Sequence, residues 1–181
     1  MRQRGFFLLA GAIFALDQLT KLLIQAALPE GHSHPLIAGV LLFTHIRNPG
    51  TAFGLLRGSG PMLTAITVAA VIFIISYWLY VRHQEHELSP VLLWGLALPL
   101  GGAAGNLLDR LRLGHVIDFI DFRVWPVFNV ADSAITIGAC LVAYYFFVIQ
   151  EARVPAPSGS SGDPRFAAVP APCSEPDKGT G

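Results

Sequence analysis

Four apolar runs, each about as long as a bilayer crossing, constrain the fold of this chain more than any other feature. About 20 residues of helix are enough to span the hydrocarbon core of a membrane. The chain has 181 residues and a mean hydropathy of +0.55, so it has room for about four such spans and for no large soluble domain. We expect transmembrane helices over residues 6–28, 61–81, 88–108 and 127–150.

The first run begins as a secretory signal peptide would, because Arg2 and Arg4 precede it. It is longer than the apolar part of a typical signal peptide and contains Asp17 and Lys21, so we expect a retained helix. At the other end of the chain, residues 154–181 are rich in Pro, Ser and Gly and poor in large apolar residues. Such a segment does not offset the entropy of its own ordering, which predicts a disordered tail over residues 154–181.

The segments around the apolar runs predict a small amount of other structure. Residues 29–60 combine Gly and Pro with short apolar pieces, which is typical of a surface loop with strand content. Pro99 and several glycines break up the third run, and such small residues let helices approach closely within a bilayer. We therefore expect one tightly packed membrane domain over residues 1–153.

The charge balance argues against a nucleic-acid partner. Twelve Lys and Arg residues balance twelve Asp and Glu residues, so the formal net charge is zero and no global field attracts a polyanion. Neither Cys140 nor Cys173 has a cysteine or histidine at metal-ligand spacing. We expect no metal and no cofactor.

Ionisable residues in or beside the apolar runs require a reason, because each costs roughly 2.5–3.5 kcal/mol at membrane depth. Asp17 and Lys21 are four residues apart and can pair on one helix face. The pair either neutralises itself while the helix packs or shapes a polar pocket near the outer end of the span. Asn106, Asp109 and Arg110 follow the glycines of the third run, where they either mark the exit of the span or line the same pocket.

The acids near the fourth run also have both a structural and a functional interpretation. Asn129 and Asp132 resemble a capping box, with Asn129 as the N-cap and Asp132 at the third helical position, and a capped carboxylate is also a fixed one. Asp118 and Asp121 are either solvated loop acids or members of a strand. In a strand their odd spacing points them to opposite faces, so at most one faces the same pocket as Asp132. Asn48 begins an Asn-Pro-Gly sequence, for which a turn is all that the local chemistry requires.

Two carboxylates held close together share a proton, because both do not ionise easily. The ionised member can take a proton from an attacking water, while the protonated member polarises a peptide carbonyl and helps the amine to leave. The sequence has no G-x-S-x-G, no H-E-x-x-H and no cysteine with an evident base. A relay of Asp17, Lys21 and Asp132 would instead indicate a small proton-coupled transporter of four helices, with acids near mid-membrane.

Five motifs occur together and in order, and their combination is more specific than any one of them. They are DQLTK at 17–21, NPGTAFG at 48–54, GAAGNLLDR at 102–110, VIDF at 116–119 and FNVADS at 128–133. The combination resembles the bacterial lipoprotein signal peptidases, the signal peptidase II family, over about residues 5–150. The long tail and the histidines of the first loop depart from the family pattern, but neither touches the motifs.

The resemblance implies a bundle of four transmembrane helices with a small β-sheet and a short helix on the extracytoplasmic face. It also implies that both termini lie in the cytoplasm. The Lys and Arg residues of the loops do not by themselves decide the orientation of the chain in the membrane. The implied reaction is aspartic-type cleavage of prolipoproteins before the cysteine that carries a diacylglyceryl group. Its partners are lipid-modified prolipoproteins and the lipids of the bacterial inner membrane, and we expect a monomer.

The resemblance also assigns site residues. The catalytic pair corresponds to Asp118 and Asp132. Positions that line the substrate site correspond to Asn48, Asn106, Arg110 and Asn129, and supporting polar positions correspond to Asp17, Lys21 and Asp109.

Overall fold

Four long helices dominate the structure, a computed structural model that describes residues 2–50, 60–84 and 89–150. They are α1 (Arg2–Ala27), α2 (Gly60–Gln84), α3 (Pro90–Leu113) and α4 (Val130–Tyr144), and α4 continues as a π-helical stretch over Tyr145–Gln150. Within the described ranges, these four helices are long and apolar enough to cross a membrane, as the apolar runs predict. The expected tail lies outside the described residues.

Helix α3 is the centre of the bundle. In its membrane-length window 61% of the residues are buried, against 11% to 17% in the other three helices. Glycines allow this packing, because a Cβ at Gly102 would collide with the carbonyl of Ala131 on α4, and a Cβ at Gly105 would collide with the carboxylate of Asp17 on α1. The helix is continuous through Pro99, at which the sequence pattern suggested a break.

Helix α3 continues beyond the boundary predicted at residue 108 and ends at Leu113. Gly114 follows with a φ of 76°, and its N–H donates to the carbonyl of Arg110 at 3.1 Å. This left-handed cap is a conformation that favours glycine. Because the helix extends this far, Asp109 and Arg110 are held on a rigid element and not on a loop.

A three-stranded antiparallel sheet lies where α1 and α3 end, and this end of the bundle is called the sheet end below. The strands are β1 (Ser33–Ile37), β2 (Leu41–Asn48) and β3 (Val116–Asp121), in the order β1-β2-β3. Strand β3 is largely buried, whereas every residue of β1 is exposed. The strand content predicted for residues 29–60 is therefore confirmed. The expected short helix does not occur among the described residues of this end, and it stays a prediction because residues 51–59 lie outside them.

The opposite end of the bundle, called the terminal end below, is packed by aromatic and aliphatic side chains. Phe6 of α1 is fully buried and stacks on Trp78 of α2, with ring centroids 4.8 Å apart. Leu92 and Leu96 of α3 and Tyr145 complete this cluster. The two ends of the same bundle are therefore held by different interactions.

Candidate active site

Strand β3 and the first turn of α4 bring Asp118 and Asp132 to the sheet end, where one amide side chain joins them. Asn129 Nδ2 donates to Asp118 Oδ1 at 2.7 Å, and Asn129 Oδ1 accepts the backbone N–H of Asp132 at 2.9 Å. In return, Asp132 Oδ2 accepts the backbone N–H of Asn129 at 3.3 Å. This reciprocal arrangement confirms the capping box predicted from the sequence. The cap that begins α4 also fixes the orientation of a carboxylate.

Asn106 of α3 connects this pair to the polar residues of α1. Its Nδ2 donates to Asp132 Oδ1 at 2.8 Å, while its Oδ1 accepts from Lys21 Nζ at 2.9 Å and from Asn129 Nδ2 at 3.2 Å. The residue is buried, so both ends of its amide are engaged in a place that excludes solvent. Such a satisfied network holds each member in one orientation.

Asn48 holds Asp118 from the side of the sheet. Its Nδ2 donates to Asp118 Oδ2 at 2.8 Å, and its Oδ1 accepts the N–H of Gly50 at 2.9 Å, which confirms the turn predicted there. Both oxygens of Asp118 therefore accept a hydrogen bond from an amide. Asp121 has a different partner, since its Oδ2 accepts from Thr44 Oγ1 at 3.0 Å. Only one of the two strand aspartates faces the site, as their odd spacing predicts.

Lys21 compensates two buried carboxylates. Its Nζ lies 2.8 Å from Asp17 Oδ2 and 2.8 Å from Asp109 Oδ2. The other oxygen of Asp17 accepts the N–H of Ala131 at 2.9 Å, which ties α1 to the beginning of α4. The pair therefore packs helices together and contacts the candidate site through Asn106, and its functional role stays a prediction.

Negative charge exceeds positive charge in this cluster, because four aspartates share it with one lysine and one arginine. Asp118 lies on β3, outside the candidate spans. Burial, together with the neighbouring charge of Asp132, raises the pKa of Asp118 to about 7, although hydrogen bonds from Asn48 and Asn129 act in the opposite direction. The cluster therefore retains a proton up to about neutral pH.

Arg110 lies one turn after Asn106 on α3 and is partly exposed. Its Nη1 donates to the Asn106 carbonyl at 3.4 Å and to Thr67 Oγ1 on α2 at 3.5 Å. These contacts are long, and no carboxylate in the described part of the chain forms an ion pair with the guanidinium. Its donors therefore remain available at the edge of the cluster.

Gln18 is a member of this cluster that the sequence analysis missed. Its Nε2 donates to Asp109 Oδ1 at 3.1 Å and to the carbonyl of Gly105 at 3.2 Å, which joins α1 to α3. Its place in the motif at 17–21, beside Asp17, was the signal that could have identified it. All the other predicted site residues lie within hydrogen-bond reach of another member of the cluster.

The geometry does not favour the transporter alternative. Asp132 lies in the first turn of α4, next to the sheet, and not in the middle of an apolar helix. Lys21 is held by the carboxylates of Asp17 and Asp109 and by the amide of Asn106. Asp17, Lys21 and Asp132 are therefore part of a larger hydrogen-bonded cluster and do not form a separate proton relay.

Comparison with known proteins agrees with this geometry. The family described as signal peptidase (SPase) II matches residues 9–148. The lipoprotein signal peptidase of Moorella thermoacetica is 42% identical over 139 residues, which cover 77% of this chain and 90% of that protein. The lipoprotein signal peptidase of Desulforapulum autotrophicum is 45% identical over 146 residues, with coverage of 76% and 88%. A solved structure described as a bacterial membrane enzyme matches with a TM-score of 0.73 at 29% identity, over 84% of this chain and 92% of its own. The chain therefore belongs to the signal peptidase II family.

Proposed function

We propose that this chain is an aspartic endopeptidase that removes signal peptides from prolipoproteins by cleaving before the diacylglyceryl-modified cysteine. The observation that carries the proposal is the pair of Asp118 and Asp132, joined by Asn129 at one end of a four-helix bundle. A raised pKa at Asp118 supplies the shared proton that an acid and base pair needs. The similar proteins named above are lipoprotein signal peptidases, which supports the substrate class.

In the proposed mechanism, Asp118 holds the proton and Asp132 is ionised. Asp118 is 3% exposed, and burial favours its neutral form. Asp132 lies in the first turn of α4, where the helix dipole stabilises negative charge. Asp132 takes a proton from water as the water oxygen attacks the scissile carbonyl, and Asp118 donates a hydrogen bond to the carbonyl oxygen. The tetrahedral intermediate then breaks its C–N bond, the leaving amine receives a proton from the pair, and the signal peptide departs with the new carboxyl group.

The rest of the cluster positions this pair. Asn129 and Asn106 orient the two carboxylates, and Lys21 holds Asn106 through its ammonium group. Arg110 has donors that remain available at the edge of the cluster, so we assign it to substrate binding and not to the chemical step.

A cavity beside Asp132 fits the lipid-bearing end of such a substrate. It has a volume of about 340 Å³, and its lining is mostly apolar. The residues that line it are Trp125, Phe128, Asp132, Ser133, Thr136 and Ile137. Because Trp125 is 64% exposed, its amphipathic ring is suited to the membrane interface. An acyl chain in this cavity would lie next to the carboxylate that activates water.

The proposal includes a topology. An even number of spans places both chain termini on one side, which we assign to the cytoplasm. The sheet end and its carboxylate pair then lie at the extracytoplasmic face of the bacterial inner membrane, where signal peptides emerge. We propose that the chain acts there as a monomer.

Cleavage of a diacylglyceryl-modified prolipoprotein by purified protein tests the function. Wild type should cleave before the lipid-bearing cysteine, whereas Asp118→Asn and Asp132→Asn should be inactive in the same detergent. Asp121→Asn is the matched control, because this aspartate lies on the same strand but bonds to Thr44 of the sheet. The proposal is wrong if folded wild type does not cleave. Activity in either of the first two variants would exclude the dyad.

A further inference from the structure

A groove at the terminal end of the bundle combines positive charge with apolar surface. It has a volume of about 560 Å³ and is lined by Arg4, Phe7, Leu8, Trp78 and Arg82. We call it the arginine groove. At 1.5 Å per helical residue, about 20 Å of α1 separates Arg4 from Asp17. The groove is therefore not part of the candidate active site.

The two arginines of the groove are exposed and have no acidic partner in the described ranges of the chain. Arg4 lies near the beginning of α1 and Arg82 near the end of α2, so two helices bring two positive charges together. The guanidinium of Arg82 lies over the ring of Trp78, 5.5 Å from its centroid. Guanidinium groups bind phosphate through paired hydrogen bonds, which makes an anion with phosphate oxygens a suitable ligand.

Trp78 provides a second, independent sign of a ligand. It is 3% exposed, and its Nε1–H has no hydrogen-bond partner among the described residues. A buried indole N–H usually finds an acceptor. Trp78 also lines the groove, so this residue, whose donor has no partner among the described residues, belongs to the same site as the two arginines.

The remaining wall of the groove is apolar and faces outward. Phe7 is 51% exposed and Leu8 is 71% exposed on α1, a helix long and apolar enough to cross a membrane. A free phosphate would leave this wall unused. A phospholipid has both a phosphate for the arginines and an acyl chain for Phe7 and Leu8.

We propose that the arginine groove binds one anionic phospholipid, in the leaflet on the side of the chain termini. The lipid phosphate lies between Arg4 and Arg82, and an acyl chain lies along Phe7 and Leu8. The preference for an anionic lipid follows from the two positive charges, each of which favours it by roughly fivefold. The site is independent of the proteolytic reaction, so it does not rest on the proposed function.

Native mass spectrometry of the full chain tests the proposal, with phosphatidylglycerol and phosphatidylcholine competing at equal concentration. Wild type should retain one phosphatidylglycerol in preference to phosphatidylcholine. The double variant Arg4→Gln and Arg82→Gln should reduce this preference by roughly 25-fold, at about fivefold per arginine. Arg112→Gln is the matched control, because this arginine is exposed at the sheet end, and it should leave the preference unchanged.

Four results would overturn the proposal. Wild type without a preference would exclude an anionic-lipid site. An unchanged preference in the double variant, or an equal loss in Arg112→Gln, would show that the arginine groove is not the place of binding. Displacement of the lipid by glycerol 3-phosphate at equal concentration would identify a site for soluble phosphates. Because both arginines are exposed, the double variant should remain folded, and its unfolding temperature is measured with each comparison.

Discussion

The helices of this bundle are held together by polar interactions at the sheet end and by apolar interactions at the terminal end. At the sheet end, Lys21 joins two carboxylates within a buried network of amides. At the terminal end, Phe6 and Trp78 stack within a cluster of aliphatic and aromatic side chains. A lipid chain is as apolar as leucine, so burial from lipid gives apolar side chains little driving force, whereas an unpaired charge is costly in either environment. The sheet end therefore depends on specific partners, and the terminal end on close packing.

The largest loss of stability is expected for Lys21→Met, at the sheet end. The substitution leaves Asp17 and Asp109 buried beside each other without their cation, which costs about 3–5 kcal/mol for a buried pair that loses one partner. Unfolding of the purified protein in mixed micelles measures the loss. Arg47→Met is the control, since Arg47 and Glu30 form an exposed ion pair and its loss should cost at most about 1 kcal/mol. Equal effects of the two substitutions would contradict the contrast drawn here.

A smaller loss of stability is expected at the terminal end for Phe6→Ala. Truncation of a buried Phe costs about 3–5 kcal/mol in water-soluble proteins, and we expect about 2 kcal/mol here because the transfer from lipid contributes little. The same unfolding measurement applies, with Phe147→Ala as the control because Phe147 is 77% exposed. The cleavage rate per folded molecule should be unchanged. A rate that fell with stability intact would show that the two ends are coupled.

The local features of the sheet end could be predicted from the sequence, and its long-range contacts could not. The i, i+4 pair of Asp17 and Lys21 and the cap formed by Asn129 and Asp132 follow from spacing within one helix, and both are present. The contact of Lys21 with Asp109 joins residues on different helices, and no local pattern specifies which helices meet.

Two further misses have local causes. The continuation of α3 to Leu113 was missed because the boundary was placed where apolar residues give way to charges. The left-handed cap at Gly114 in fact ends the helix, and a glycine after two basic residues is a recognisable stop signal. The role of Gln18 was missed because a neutral side chain in an apolar run, unlike a charged one, carries no large free-energy cost that would mark it as a site residue.

Within the sheet end, Arg110→Ala should separate substrate binding from chemistry. Because the hydrogen bonds of the guanidinium among the described residues go to a carbonyl and to Thr67, its loss should leave the carboxylate pair in place. We expect KM to rise about tenfold, or about 1.4 kcal/mol, with kcat unchanged. Arg112→Ala, two residues further along α3 and exposed, should change neither constant. A fall in kcat at unchanged KM would place Arg110 in the chemical step instead.

The smallest effect is expected for Asn48→Ala, which should change the pH dependence of kcat/KM. In the proposed mechanism activity requires protonated Asp118, so kcat/KM should fall about tenfold per pH unit above the pKa of about 7. The amide of Asn48 stabilises the ionised form, and its removal should raise this pKa and move the alkaline limb upward by up to about one pH unit. Thr44→Val, which removes the hydrogen bonds of Thr44 with Asp121 and Ser33 but none of those to Asp118, should leave the limb in place.

The free energy of unfolding should also depend on the titration of Asp118. An acid in a salt bridge stabilises the fold more as the pH rises, whereas Asp118, whose pKa is raised, should stabilise it less. Because the folded-state pKa of Asp118 is raised from 3.8 to about 7, its contribution to stability is complete below pH 3.8 and is lost as the pH rises to about 7. Asp118→Asn removes the titrating group, so the stability of this variant should vary less with pH than that of wild type across this window. An alkaline limb that moved downward in Asn48→Ala, or an unchanged pH dependence of stability in Asp118→Asn, would show that the titrating group of the sheet end is not Asp118.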